Sequence, residues 1–178
     1  MNRTTLAAAC VAAIASTATA TAGEPAAPLP LSQLLAAAQV AIDTCKAHGY
    51  AVTVTVVDAD LSTRLVLRGE GAPSQTVEVS RRKAYTVVKT GMSSGEFGKT
   101  VPKPAPAAPN PGTSTSASPL LPGGVEGDPN LITWAGGLPI RVHGALVGAM
   151  SASGAPGGEK DEACVIAGLA KITGAATP

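Results

Sequence analysis

The sequence predicts an α/β layered sandwich, in which helices cover an antiparallel sheet. Three observations predict it. Segments of helical and of strand periodicity follow one another as helix, hairpin, helix, loop, hairpin, helix. His143-Gly144 separates two short apolar segments, a tight-turn signal that makes the last two strands antiparallel neighbours. No strand-turn-helix unit of the nucleotide-binding kind occurs, so the layers are helices packed on an antiparallel sheet.

Residues 1–22 read as a secretory leader: Arg3 gives a positive start, Leu6 to Ile14 an apolar core, and Ala18-Thr-Ala20 or Ala20-Thr-Ala22 small residues for cleavage. The apolar run is too short to span a bilayer. Residues 23–30 are a Pro/Ala linker, and 31–175 form the domain. Ser32 is expected to cap the first helix, with Leu31, Leu34, Leu35, Ala38, Ile42 and Cys45 on its apolar face. His48-Gly49 ends it, Gly49 serving as the left-handed cap.

Ala51 to Val57 alternates valine with threonine, the pattern of a strand with one face buried. Thr63 to Leu67 returns as its partner. The second helix opens near Ser74, with Val77, Ala84, Val87, Val88 and Gly91 as its buried stripe and Glu78 spaced to pair with Arg82. Residues 102–130 are an irregular proline-rich loop that cannot bury enough surface to fold by itself. Leu131 to Trp134 begins the third strand region. Leu138 to Val142 and Ala145 to Ala152 form the final hairpin, and Ser153 to Gly158 crosses into a last helix, Glu159 to Ile172. The acids of its first turn suit the positive end of the helix dipole.

The chain has 178 residues, one domain by size, with 13 Lys and Arg against 12 Asp and Glu. Loss of the leader removes Arg3, so the charge of the mature chain is near zero. That argues against nucleic acid or an anionic membrane surface as partner. The aromatic residues are Trp134, Tyr50, Tyr85 and Phe97. A core of Ala, Val, Leu and Ile is thin, which favours burying further surface in a homo-oligomer. Export permits a Cys45–Cys164 disulfide; the reading taken here is two small buried hydrophobes. No HExxH, CxxC or GxSxG pattern occurs, and no catalytic residue set is identified.

Several blocks carry a resemblance. They are Val54-Thr-Val-Val-Asp-Ala59, Arg82-Lys-Ala-Tyr-Thr86, Gly136-Gly-Leu-Pro-Ile140, and the run from Val147 through Ser153-Gly-Ala-Pro-Gly-Gly-Glu-Lys-Asp-Glu-Ala-Cys164. Together they resemble the GlcG/HbpS-like family of haem-degrading or haem-binding proteins, over about Leu31 to Ile172. The resemblance implies a profilin-like or PAS-like sandwich. It also implies a protein that binds haem or a related tetrapyrrole, for sensing, storage or degradation; the leader makes it exported, periplasmic or secreted.

With haem as the implied cofactor, His48 is a candidate axial ligand, against its reading as a helix-end histidine. Tyr85 is a second candidate for the iron, and His143 and Met92 are weaker ones. Arg82 and Lys83, with Arg81, form a basic run suited to haem propionates, or a solvated helix face. Thr86 lies in the same block. Two other readings stay open. One is an enzyme or accessory protein acting on a small hydroxy or oxo acid, held by Arg81, Arg82 and Gly157-Gly158. The other is a ligand-free structural oligomer.

Overall fold

The computed structural model describes residues 28–102, 124–125 and 127–172. The leader and most of the proline-rich loop lie outside the described residues. The elements in chain order are α1 (Leu31–Ala47), β1 (Thr53–Asp58), β2 (Thr63–Arg68), α2 (Gln75–Thr90), α3 (Ser94–Thr100), β3 (Gly124–Val125), β4 (Asp128–Ile132), β5 (Gly137–Val142), β6 (Ala145–Ser153) and α4 (Gly158–Leu169). β2, β1, β6 and β5 form an antiparallel sheet in that order, and β3 pairs with β4 separately. The α/β sandwich with an antiparallel sheet is therefore observed. The short helix α3 is an addition to the expected order; Ser93 caps it by accepting the Glu96 N–H at 3.1 Å.

β1 and β6 pair along their lengths, Thr55 opposite Ser151 and Val56 opposite Met150. Alternation then sends the two sets of side chains to different layers. Val52, Val54, Val56, Met150 and Ala152 join α1 and α4 in the main apolar core. Thr53, Thr55 and Ser151 face α2 and are also buried. β1 is thus buried on both faces, not on one. The threonines survive burial because each meets a hydroxyl of α2: Thr53 with Thr76 and Thr55 with Ser80, both at 2.7 Å. Ser151 Oγ donates to the Ser80 carbonyl at 2.6 Å. The inward stripe of α2 is accordingly Thr76, Ser80, Lys83, Ala84 and Val87. Val77 and Val88 are only partly buried, and Gly91 is the left-handed C-cap at φ +72°.

α1 begins behind Pro30, with no side-chain cap from Ser32. Its buried face is Leu34, Ala37, Ala38, Ala41, Ile42 and Cys45, while Leu31 and Leu35 are exposed. The substitution of alanines for the expected leucines follows from close packing on α4. A Cβ at Gly168 would lie 2.5 Å from the Ala37 carbonyl oxygen and 3.1 Å from Ala41 Cβ. Cys45 and Cys164 form a disulfide between these helices, with Cα atoms 5.5 Å apart. This corrects the reading of two separate small hydrophobes: antiparallel packing puts the last turn of α1 beside the middle of α4 at bridging distance.

Candidate functional site

α2 carries the block chosen from sequence, and the chain uses most of it internally. Arg82 is 1% exposed, and its Nη2 donates to the Leu131 carbonyl at 2.8 Å. Thr86 Oγ donates to the Arg82 carbonyl and accepts the Ile132 N–H, both at 2.9 Å. These two residues therefore dock β4. Arg81, not Arg82, pairs with Glu78, at 2.7 Å, and it also reaches Asn130. Tyr85 is half-buried and donates to Asp128 Oδ2 at 3.1 Å. The Asn130 N–H, with help from the Tyr85 hydroxyl, holds the Asp128 carboxyl below its ordinary range.

Lys83 enters the other side of the fold. Its Nζ donates to Asp161 Oδ2 at 2.7 Å and to the Ala152 carbonyl at 2.9 Å, and Asp161 Oδ1 accepts the Ala155 N–H at 3.0 Å. The two side chains are 3% and 4% exposed. Burial pushes the amine down and the carboxyl up, and each charge opposes the shift of the other. The pair joins α2 to α4 across the end of β6.

His48 lies elsewhere. α1 and α4 cover one face of the sheet and α2 the other, so His48 and Tyr85 stand on helices of opposite layers. One chain does not bring the two expected iron ligands together. His48 is exposed at the end of α1, where the chain reverses through Gly49 at φ +79°. The Cys45 carbonyl accepts both the His48 and the Tyr50 N–H, at 3.0 and 2.9 Å. His48 Nδ1 lies 2.8 Å from the Thr44 carbonyl oxygen. A carbonyl only accepts, so Nδ1 carries a proton, and in the neutral ring the lone pair sits on Nε2. The ring stacks near Tyr50, centroids 6.2 Å apart, and Lys160 Nζ of α4 sits 5.3 Å from the Tyr50 centroid. A hollow of about 210 Å³ adjoins Tyr50, with Ile42 and Val52 as apolar lining and Lys46, paired with Glu70 at 3.7 Å, at its rim. Sequence reading missed Tyr50 and Lys160 as parts of this surface. Tyr50 was legible two residues after His48; Lys160 was not, because only helix packing brings it near.

Two larger grooves of about 470 and 380 Å³ share Trp134 and Gly158. Glu96, Glu159 and Glu162 face Lys99 in the first, and Lys83 with Asp161 lies against the second. Among the described residues no His, Cys, Met or Tyr lines either groove. The second groove brings Lys83, not Arg81 or Arg82, beside Gly157-Gly158, so the expected acid clamp is not assembled. His143 is exposed in the tight β5–β6 turn at φ +50°, and Met92 is exposed after α2. Among the described residues no cluster of three or more His, Cys, Asp or Glu is arranged to hold a metal ion, and no helix is long and apolar enough to cross a membrane.

The fold has counterparts among known proteins. The chain is similar to the crystal structure of HbpS, at 30% identity and a TM-score of 0.66, over 87% of this chain and 97% of that one. A double mutant of Streptomyces reticuli HbpS gives 30% and 0.66, over 89% and 97%. The crystal structure of a PduOC:heme complex shares the fold, at 21% identity and 0.66, over 85% and 99%. No curated protein matches. The family model described as haem degrading protein HbpS-like matches residues 29–170, and on this match, with the sandwich and its layer order, the chain belongs to the HbpS-like family.

Proposed function

We propose that the protein binds haem on the exposed end of α1, with His48 Nε2 as the iron ligand. The observation that carries the reading is the Nδ1–H···O=C bond to Thr44. Metal-ligating histidines commonly use the second ring nitrogen in this way, which fixes the tautomer and aims the free lone pair. The surrounding residues fit the group. Tyr50 offers an aromatic face, Ile42 and Val52 an apolar hollow, and Lys160 a cation for a propionate; Lys46 is a second cation, shared with Glu70. The Trp134 grooves fit less well, because the three carboxylates of the first outnumber its one lysine and, among the described residues, neither offers an imidazole, thiolate, thioether or phenol.

Haem held there would supply the iron chemistry. The chain would orient it through His48, exclude water with Tyr50 and the hollow, and neutralise its acids. A hollow of about 210 Å³ is below the roughly 300–1,000 Å³ of small-ligand pockets, so one chain cannot enclose a porphyrin. A second copy would cover the other face, which makes the working form a homo-oligomer. The leader sequence and the Cys45–Cys164 bridge support export to a periplasmic or extracellular space. The role served is haem sensing, storage or degradation.

The test is a hemin titration followed at the Soret band, with His48→Ala, Tyr85→Phe and His143→Ala beside wild type. The expected result is a saturable, shifted band in wild type, Tyr85→Phe and His143→Ala, lost in His48→Ala and restored there by free imidazole. A wild-type band equal to that of a non-binding control protein would end the haem reading. Loss in Tyr85→Phe alone would move the iron ligand to α2.

A further inference from the structure

Resting on the haem reading above, we infer that the Cys45–Cys164 bridge and haem binding are linked: the closed bridge holds the haem surface in its binding form, and bound haem protects the bridge. Cys45 occupies a junction. Its carbonyl accepts the N–H groups of both His48 and Tyr50, at 3.0 and 2.9 Å, so it sets the turn that presents the iron ligand and the aromatic ring. Its sulfur is bonded to Cys164 of α4. Lys160, one turn earlier on α4, is the cation over Tyr50. One residue thus ties together the imidazole and the ring, which follow the end of α1, and the ammonium, which comes from α4.

Away from this end, α1 and α4 meet through small residues, with Gly168 against Ala37 and Ala41. Those contacts can hold the helices together while the last turn of α1 moves. Reduction by a dithiol breaks the S–S bond and leaves two protein thiols; the reductant gives up two electrons and two protons and closes into its own disulfide. Cys45 and Cys164 are 0% and 2% exposed, so attack requires local opening of that last turn. Haem bound to His48 and backed by Lys160 opposes the opening. By reciprocity, the factor by which the bridge favours haem equals the factor by which haem favours the bridge.

Two measurements test it. Hemin affinity of the Cys45→Ala/Cys164→Ala protein is compared with wild type and with Val165→Ala, which weakens the same core and leaves the bridge intact. The expected result is about tenfold weaker binding without the bridge and unchanged binding in Val165→Ala. The midpoint of bridge reduction in dithiothreitol buffers is then read by thiol alkylation and mass, with and without gallium(III) protoporphyrin, which the buffer does not reduce. A tenfold linkage corresponds to a shift of about 30 mV to lower potential, absent in His48→Ala. This second measurement uses the natural cysteines and stands even where the alanine variant does not fold. Equal affinities with and without the bridge, or an unmoved midpoint, would overturn the linkage and leave the haem reading intact. A reduced protein that loses its far-UV circular dichroism would also overturn it, since the coupling would then be global unfolding. Failure of wild type to bind either porphyrin would remove the haem reading itself.

Discussion

Replacing Lys83 with methionine keeps the buried stem and removes only the charged head. Asp161, 4% exposed, is then left with the Ala155 N–H as its hydrogen-bond donor, and the Ala152 carbonyl loses its 2.9 Å partner. Removing one member of a buried pair costs about 3–5 kcal/mol. A second route bounds the figure. Asp161 can escape by taking a proton, which at pH 7 costs about 4 kcal/mol against an ordinary aspartate pKa near 3.9. The two values agree, so Lys83→Met is expected to lose about 3–4 kcal/mol at pH 7.

The sign of the pH dependence follows. In this variant the folded-state pKa of Asp161 lies above its unfolded value, so the folded state holds more protons and gains stability as pH falls. At pH 5 the protonation cost is only about 1.5 kcal/mol, so more than half of the deficit should vanish. Lys83→Met/Asp161→Asn keeps an acceptor for Ala155 without a charge and should recover to within about 2 kcal/mol of wild type. Urea unfolding at the two pH values measures all of this. A loss below about 1 kcal/mol at pH 7, or one that does not shrink at pH 5, would refute the buried pair as described.

Other outcomes follow from the same geometry. Gly136 has φ +122°, and a Cβ there would lie 2.5 Å from Lys83 Nζ and 2.8 Å from the Ala152 carbonyl oxygen. Gly136→Ala should destabilise by more than about 1 kcal/mol in urea unfolding, through backbone strain and displacement of the Lys83–Asp161 pair together. Asp128 is held below its ordinary range, so its contribution is complete above the unfolded value near 3.9 and is lost as pH falls through the lower folded value. Asp128→Asn should therefore flatten the acid limb of the stability–pH curve, by a modest amount because the group is solvated.

The order and type of most elements were legible because period and turn chemistry agree locally. His143-Gly144 fixed the last hairpin, and Gly49 ended α1 at φ +79° as expected. What was not legible depended on who faces whom. Leu31 and Leu35 fit a helical apolar stripe as well as Ala37 and Ala41 do, and only the close approach of α4 selects the alanines. The threonines of β1 looked solvent-facing because their hydroxyl partners, Thr76 and Ser80, lie more than twenty residues away. Lys83 read as surface charge for the same reason, its partner Asp161 being 78 residues on. The Arg82–Thr86 block is distinctive in sequence, but much of that distinctiveness reflects the docking of β4. His48 keeps an outward-facing nitrogen, and its geometry came from a local bond to Thr44.

The fit of Gly168 against Ala37 sets a size ceiling on the α1–α4 seam. Most protein cores resist the removal of bulk; this seam should chiefly resist its addition, because a single methyl at position 168 already collides with backbone. Position 168 is thus confined to glycine, and the facing positions 37 and 41 to small residues, whatever the demand for hydrophobicity. Thickening this protein's core to make it sturdier would have to proceed on the sheet side of the helices, where Val54, Val56 and Met150 lie, rather than between the helices themselves.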